Sequence, residues 1–241
     1  MVTNRLLAAD DGAARRRLAL LLTFNGGYVD TAGFLALQGL FTAHVTGNFV
    51  TIGASLVFGT SGSLTKLLAL PVFCIVVVLT RLAALRLSER RALPNLLRVH
   101  ILLLAVGATL VMTILPGHLG DHWQAMLTGS ILVAAMAMQN GLHRTHLAAL
   151  PPSTLMTGTT TQMMNDLGDL LQGTSAGAAK AAHDRLAQMA PQVLIFAAGC
   201  GLAALLFKFA GGGCFVPPVL VALGALALSF GLVNHPAEKR T

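Results

Sequence analysis

The chain has 241 residues, 55% of them hydrophobic and only 10% charged, with a mean hydropathy of +0.73. Soluble domains carry about a quarter charged residues, so bulk water is excluded as the solvent for most of this surface and the lipid bilayer is the expected partner. A formal charge of +7 would suggest nucleic acid in a soluble chain. Here Arg and Lys fall in short segments between apolar runs, where they set membrane topology, and no nucleic-acid partner is expected.

The N-terminus, residues 1–17 with Arg15, Arg16 and Arg17, reads as cytoplasmic. A first spanning segment covers about residues 18–40, interrupted by Asn25, Gly26, Gly27 and Asp30. It runs too long for a signal peptide and has no clear small-residue cleavage site, so it is expected to be a retained helix. Thr46, Gly47 and Asn48 then open a short apolar piece, residues 49–58. At 1.5 Å per residue this piece cannot cross about 30 Å of hydrocarbon, so it is expected to be a re-entrant or interfacial half-helix.

A second segment, about residues 64–84, contains Pro71, which neighbouring helices tolerate inside a membrane. Arg81, Arg86, Arg90, Arg91 and Arg98, opposed only by Glu89, place the next loop in the cytoplasm. A third segment, about 99–115, leads to a link at 117–124 that has Asp121 and Trp123 but no Lys or Arg, and is expected outside. The fourth, about 125–142, returns to His143 and Arg144, and the polar stretch to Gln188 is read as cytoplasmic. Segments five (about 191–209) and six (about 214–233) form a hairpin around Gly211, Gly212 and Gly213, and the tail 234–241 with Lys239 and Arg240 is expected inside. Lys66 and Lys208, near the outer face, run against this count.

The two halves match in order. Val45-Thr46-Gly47 parallels Met156-Thr157-Gly158, and Pro71 followed by Leu82-Ala83-Ala84-Leu85 parallels Pro191 followed by Leu202-Ala203-Ala204-Leu205. Gly107-Ala108 and Gly224-Ala225 give a weaker third match. With three spanning segments per half, 18–116 and 125–233, the second half enters from the opposite side. The expected fold is therefore all-α, with six transmembrane helices in two inverted three-helix repeats, each with a short half-helix.

Polar residues concentrate in the broken segments. A carboxylate at Asp30 costs several kcal/mol in a membrane unless it faces protein or water, which marks it as a site residue; the alternative is hydration at the outer interface. Gly26 and Gly27 permit close helix approach or local unwinding. Gln139 and Asn140 occupy the corresponding place in the second half. Thr46, Gly47 and Asn48, and then Thr157 and Gly158, read as helix starts able to present a partial positive charge, or as ordinary interfacial caps. His44 is a candidate proton carrier, whereas His143 and the other loop or segment-end histidines read as surface residues. Cys74, Cys200 and Cys214 form no metal or disulfide spacing, and no metal site, cofactor or catalytic motif is expected.

At Gly27-Tyr28-Val29-Asp30-Thr31, Phe41 and Val45-Thr46-Gly47-Asn48, with Gln139, Asn140, Thr157 and Gly158 later, the sequence resembles the YoaK family of bacterial membrane proteins, a family of unknown function. Thr159 stands where members of that family often carry Asn or Thr. The resemblance covers most of the chain and implies about six spanning helices in a bacterial inner membrane, but no substrate.

The expected function is a small-solute or ion transporter or channel with its path between the repeats, lined by Asp30, Asn48, Asn140 and the two Thr-Gly starts. The chain is compatible with a homo-oligomer. The alternatives are a membrane-embedded enzyme acting on a lipid or quinone and a non-catalytic accessory subunit. Contact of Asp30 with His44 in a lipid-accessible cleft, within about 3 Å, would raise the enzyme above transport. Convergence of Thr46 and Thr157 near the midplane would favour a lined path.

Overall fold

A computed structural model describes residues 2–59, 61–116 and 119–234. The tail expected at 234–241 lies outside the described residues from 235 onward, as do residues 117 and 118 of the expected external link. Among the described residues the chain forms eight α-helices and no strand. They are α1 (Val2–Ala36), α2 (Gly47–Phe58), α3 (Ser63–Arg86), α4 (Glu89–Thr113), α5 (Trp123–His146), α6 (Met156–Gln172), α7 (Ala176–Ala210) and α8 (Val216–Asn234), with a 3-10 turn at Gly211–Phe215 before α8. Among the described residues four helical stretches are long and apolar enough to cross a membrane: Ser63–Arg86, Arg90–Thr113, Trp123–His146 and the continuous stretch Ala176–Leu232, which holds α7, the turn and most of α8.

The first segment departs from expectation at both ends. α1 begins at Val2, well before residue 18, because residues 2–17 are rich in Leu, Ala and Arg, which favour helix. It stops at Ala36 rather than near residue 40, where Gln38 and Gly39 take left-handed backbone conformations with φ of 54° and 84°. The polar stretch before residue 191 is also more helical than expected. Ser175 caps α7 by accepting from the Ala178 amide, so α7 starts at Ala176 and carries Pro191 inside it.

α1 lies at the centre of the bundle, packing on α7, α8 and α5, while α5 packs on α3, α4 and α1. Replacing each of α1 to α4 by its counterpart in α5 to α8 carries these pairings onto one another. α1 with α7 becomes α5 with α3, α1 with α8 becomes α5 with α4, α2 with α3 becomes α6 with α7, and α4 with α8 is unchanged.

Small residues set the closest approaches. A Cβ on Gly27 would stand 2.3 Å from the Phe196 carbonyl oxygen, and one on Gly199 would stand 2.3 Å from that of Phe24. Backbone therefore meets backbone between α1 and α7, which only glycine at both positions allows. Between α5 and α3, a Cβ on Gly141 would meet the Thr80 methyl at 2.9 Å.

Two loops fold back into the bundle. After α1 the chain doubles back until the amides of Thr42 and Ala43 reach Asp30, six residues before the end of that helix, a return of about 9 Å. After α5 it doubles back until the Thr154 hydroxyl reaches Asn140, six residues before the end of that one. α2 then runs back toward the start of α3, where buried Lys66 donates to Ser55. α6 leaves the second loop and lies along α7.

Candidate functional site

Asp30 is 4% exposed, and its carboxylate is filled by protein donors rather than by water. Oδ1 accepts from the Thr42 and Ala43 amides at 2.7 Å each, and Oδ2 lies 2.6 Å from His44 Nδ1. Two backbone donors and a ring nitrogen offset the desolvation that a lone carboxylate would suffer. The same bonds satisfy amides that a loop inside a bundle would otherwise orphan. Asp30 thus helps residues 37–46 to be non-helical while buried within the bundle.

His44 extends the connection. Its ring is half-buried, set edge-on to Phe196 at 5.8 Å and near Phe41 at 6.4 Å between centroids. Thr154 of the second loop lines one cavity together with it, and the Thr154 carbonyl favours a proton on the ring. One side chain thus joins α1, the first loop and the second loop. In the second loop, Thr154 donates to Asn140 Oδ1 at 2.6 Å, across the same separation of 14 residues that divides Asp30 from His44.

Gly26 and Gly27 serve different neighbours. A Cβ on Gly26 would stand 2.8 Å from the Ser153 carbonyl oxygen, so Gly26 admits the second loop while Gly27 admits α7. Gln139 is buried and donates to the Leu22 carbonyl at 2.8 Å, tying α5 to α1. Asn48 is buried and pairs both ways with the backbone of Phe41, at 2.8 Å in each direction. It closes the first loop instead of offering a free amide to a path. Gly47 fits against the Phe41 ring, 2.9 Å from where its Cβ would be.

The threonine starts differ from expectation. Thr46 stands at the start of α2 but makes no side-chain cap. α6 begins at Met156 after Leu155, and Thr157 and Gly158 lie exposed in its first turn, away from the loop junction. Thr154, three residues earlier, holds the place expected of Thr157. A polar residue 14 positions after Asn140, matching the spacing from Asp30 to His44, is the sequence signal that finds it.

Two cavities flank His44. The first, about 460 Å³, is walled by Ala43, His44, Val45 and Thr46 of the first loop, Thr154 and Leu155 of the second, Phe73, Val77 and Arg81 of α3, and Asn140, Gly141, Arg144 and Thr145 of α5. The second, about 480 Å³, is walled by Asp30, Thr31, Phe34, Leu35 and Phe41 on one side and Phe196 and Cys200 of α7 on the other, with His44 between. His44 is common to both linings. Thr157 and Gly158 line neither.

Sequence reasoning passed over several buried polar groups. His100 in α4 is fully buried, with Nδ1 3.0 Å from the Ala135 carbonyl and Nε2 3.4 Å from the Asn25 amide. His143, read as a surface residue, is 2% exposed and lies against the backbone of Leu150 and Pro151, because the second loop folds over it. Arg81 and Arg144 were assigned to topology alone, yet both reach the first cavity. On α6, Asp166 is held by Arg185 at 2.5 Å, and that guanidinium keeps its carboxyl below the usual carboxylate range.

A family model described as a protein of unknown function (DUF1275) matches residues 18–228. The UPF0700 transmembrane protein YoaK of Bacillus subtilis (strain 168) is 29% identical over 169 residues, covering 66% of this chain and 70% of that protein. No solved structure matches. The match over most of its length makes this chain a member of the DUF1275 family, a membrane protein related to YoaK.

Proposed function

We propose that this protein is a small-solute or ion transporter or channel whose path runs between two inverted halves, residues 18–116 and 125–233. In this reading α1, α3, α4, α5, α7 and α8 span a bacterial inner membrane, α2 and α6 are half-helices, and both termini are cytoplasmic. The exchange symmetry of the helix pairings supports two related halves. The observation that carries the transport reading is the junction itself: two loops folded back from opposite ends meet at His44, which has a cavity on either side.

His44 is the proton carrier and gate of this proposal. One nitrogen faces the Asp30 carboxylate and the Thr154 carbonyl favours a proton on the ring, and both groups are acceptors. Only the imidazolium has two N–H donors to satisfy both. A neutral ring leaves a lone pair against one of them, which favours separation of the loops. Proton loss would thereby join the two cavities, and proton gain would divide them.

Purified protein in vesicles is expected to move a small ion or metabolite, with Asp30→Asn slowing that movement at least about tenfold. Failure to move any candidate, together with unchanged behaviour of cells carrying Asp30→Asn, would overturn the reading.

The enzyme reading is favoured by a specific observation, since Asp30 and His44 do meet within 3 Å, beside a cavity walled by Phe34, Leu35, Phe41 and Phe196. It ranks second despite that contact, because these groups are already committed. Asp30 is saturated by two amides and an imidazole, and the Cys200 thiol donates to the Gly27 carbonyl at 3.3 Å. General acid-base work needs a lone pair or proton aimed at substrate. A covalently altered lipid or quinone recovered from purified protein would reverse this order.

A further inference from the structure

The first cavity has a charge that names a substrate class, an inference that rests on the transport reading. Arg81 reaches it from α3 and Arg144 from α5, two helices packed directly on one another. Among the described residues neither arginine has a carboxylate within 4.0 Å. Asp30, the acid beside this region, lines the other cavity and is filled by its own loop. The first cavity thus carries two permanent positive charges and no balancing acid in its lining, and a protonated His44 adds a third.

Hydrogen-bonding capacity has the same sign. Each guanidinium is donor-only and presents a planar fork that fits carboxylate or phosphate oxygens in pairs. Thr46 adds a hydroxyl to the lining, whereas the Thr145 hydroxyl donates to the Gly141 carbonyl at 2.9 Å. Phe73, Val77, Val45 and Leu155 supply apolar wall, while Arg81 and Arg144 are themselves exposed at its edge. A volume of about 460 Å³ falls within the range of small-molecule sites, roughly 300–1,000 Å³. Topology alone accounts less well for Arg81, because Arg86 already supplies a cation at the end of α3.

We propose that this cavity binds a small oxyanion, a carboxylate or phosphate, held between Arg81 and Arg144, and that this is the class of solute moved. A phosphate of this kind also occurs on lipid headgroups, so the test separates the sources. Full-length protein is reconstituted in vesicles of neutral phosphatidylcholine and assayed for entry of succinate, inorganic phosphate, choline and glycerol. Succinate or phosphate is expected to enter, and the double variant R81Q/R144Q is expected to slow entry by about a hundredfold, as two charge-assisted contacts are lost. The charge-keeping R81K/R144K is expected to retain more flux than R81Q/R144Q, which separates loss of the site from loss of the fold.

Entry of choline or glycerol but of neither anion overturns the proposal while transport stands. So does anion entry that R81Q/R144Q leaves unchanged. If nothing enters, transport itself fails, and the site is judged by binding. Raised thermal stability with succinate or phosphate, abolished in R81Q/R144Q, then supports it. Stabilisation only when phosphatidylglycerol is added to the vesicles assigns the oxyanion to a headgroup and overturns the solute assignment.

Discussion

The two folded-back loops are alike in position and unlike in chemistry. Each returns to a polar residue six positions before the end of the preceding helix, and each is tied across 14 residues. The first tie joins a carboxylate to an imidazole, whereas the second joins an amide to a hydroxyl. Only the first can gain or lose a proton near neutral pH. Similar ties thus carry a titratable pair in one loop and a neutral pair in the other.

Cutting each tie gives the largest expected contrast. Asp30→Ala orphans the Thr42 and Ala43 amides and leaves His44 without its carboxylate. At about 1–3 kcal/mol for each buried donor left unmade, the loss is about 2–6 kcal/mol. Asn140→Ala removes one acceptor from a hydroxyl that can rotate, an effect of about 1 kcal/mol. Thermal unfolding in detergent measures both, and equal losses would refute the asymmetry. Asp30→Asn keeps an acceptor for the two amides and should fall between them.

The glycine contacts sharpen the same comparison between halves. Gly27→Ala drives a methyl into the Phe196 carbonyl, which cannot move without shifting α7, so a cost of about 3 kcal/mol is expected. Gly141→Ala meets the methyl of the Thr80 side chain, and about 1 kcal/mol is expected. Yield and unfolding midpoint of the two variants decide it.

Much of the first loop was legible in sequence, because an acid within an apolar run, two adjacent glycines and an apolar piece too short to span are each costly in a membrane. Asp30, Gly26 and Gly27 stand out in the sequence on those grounds, and the structure places Asp30 against His44 and Gly26 and Gly27 at close helix and loop contacts. What the side chains bond to was less legible. Asn48 was read as facing a path, yet both ends of its amide pair with the Phe41 backbone, and Gln139 donates to the Leu22 carbonyl while its buried Oε1 has no partner among the described residues. Apolarity also understated α1. It packs on α5, α7 and α8, so its buried polar residues Thr23, Asn25 and Asp30 face protein. Arg81 and Arg144 were hidden by the rule that explained them as topology.

A smaller effect tests whether His44 alone makes the junction proton-sensitive. The groups around its two cavities are Asp30 from α1, Arg81 from α3, Arg144 from α5 and Cys200 from α7. The arginines stay charged at all relevant pH. Falling pH places a proton on His44 beside the oxyanion cavity, so anion affinity should rise toward acid, by about tenfold for one added charge nearby. His44→Gln should flatten that dependence. An unchanged slope would move the proton elsewhere.

The smallest expected effect lies at α6, which follows the second folded-back loop as α2 follows the first. Lys66 ties α2 to α3 through a neutral hydroxyl, whereas α6 is clamped to α7 by the Asp166–Arg185 pair, with Gln162 also donating to Asp166 and Asp169 nearby. Because the Asp166 carboxyl is held below the usual range by Arg185, its contribution is present above about pH 4 and is lost as pH falls through its lowered value. Measured relative to the intrinsic exchange rate, which itself slows toward acid, amide protection across residues 156–172 should therefore fall in acid while protection across residues 47–58 changes little. Asp166→Asn should give the faster exchange at neutral pH and remove the acid response. If exchange in α6 ignores both acid and the substitution, apolar packing alone holds that helix and the clamp is incidental.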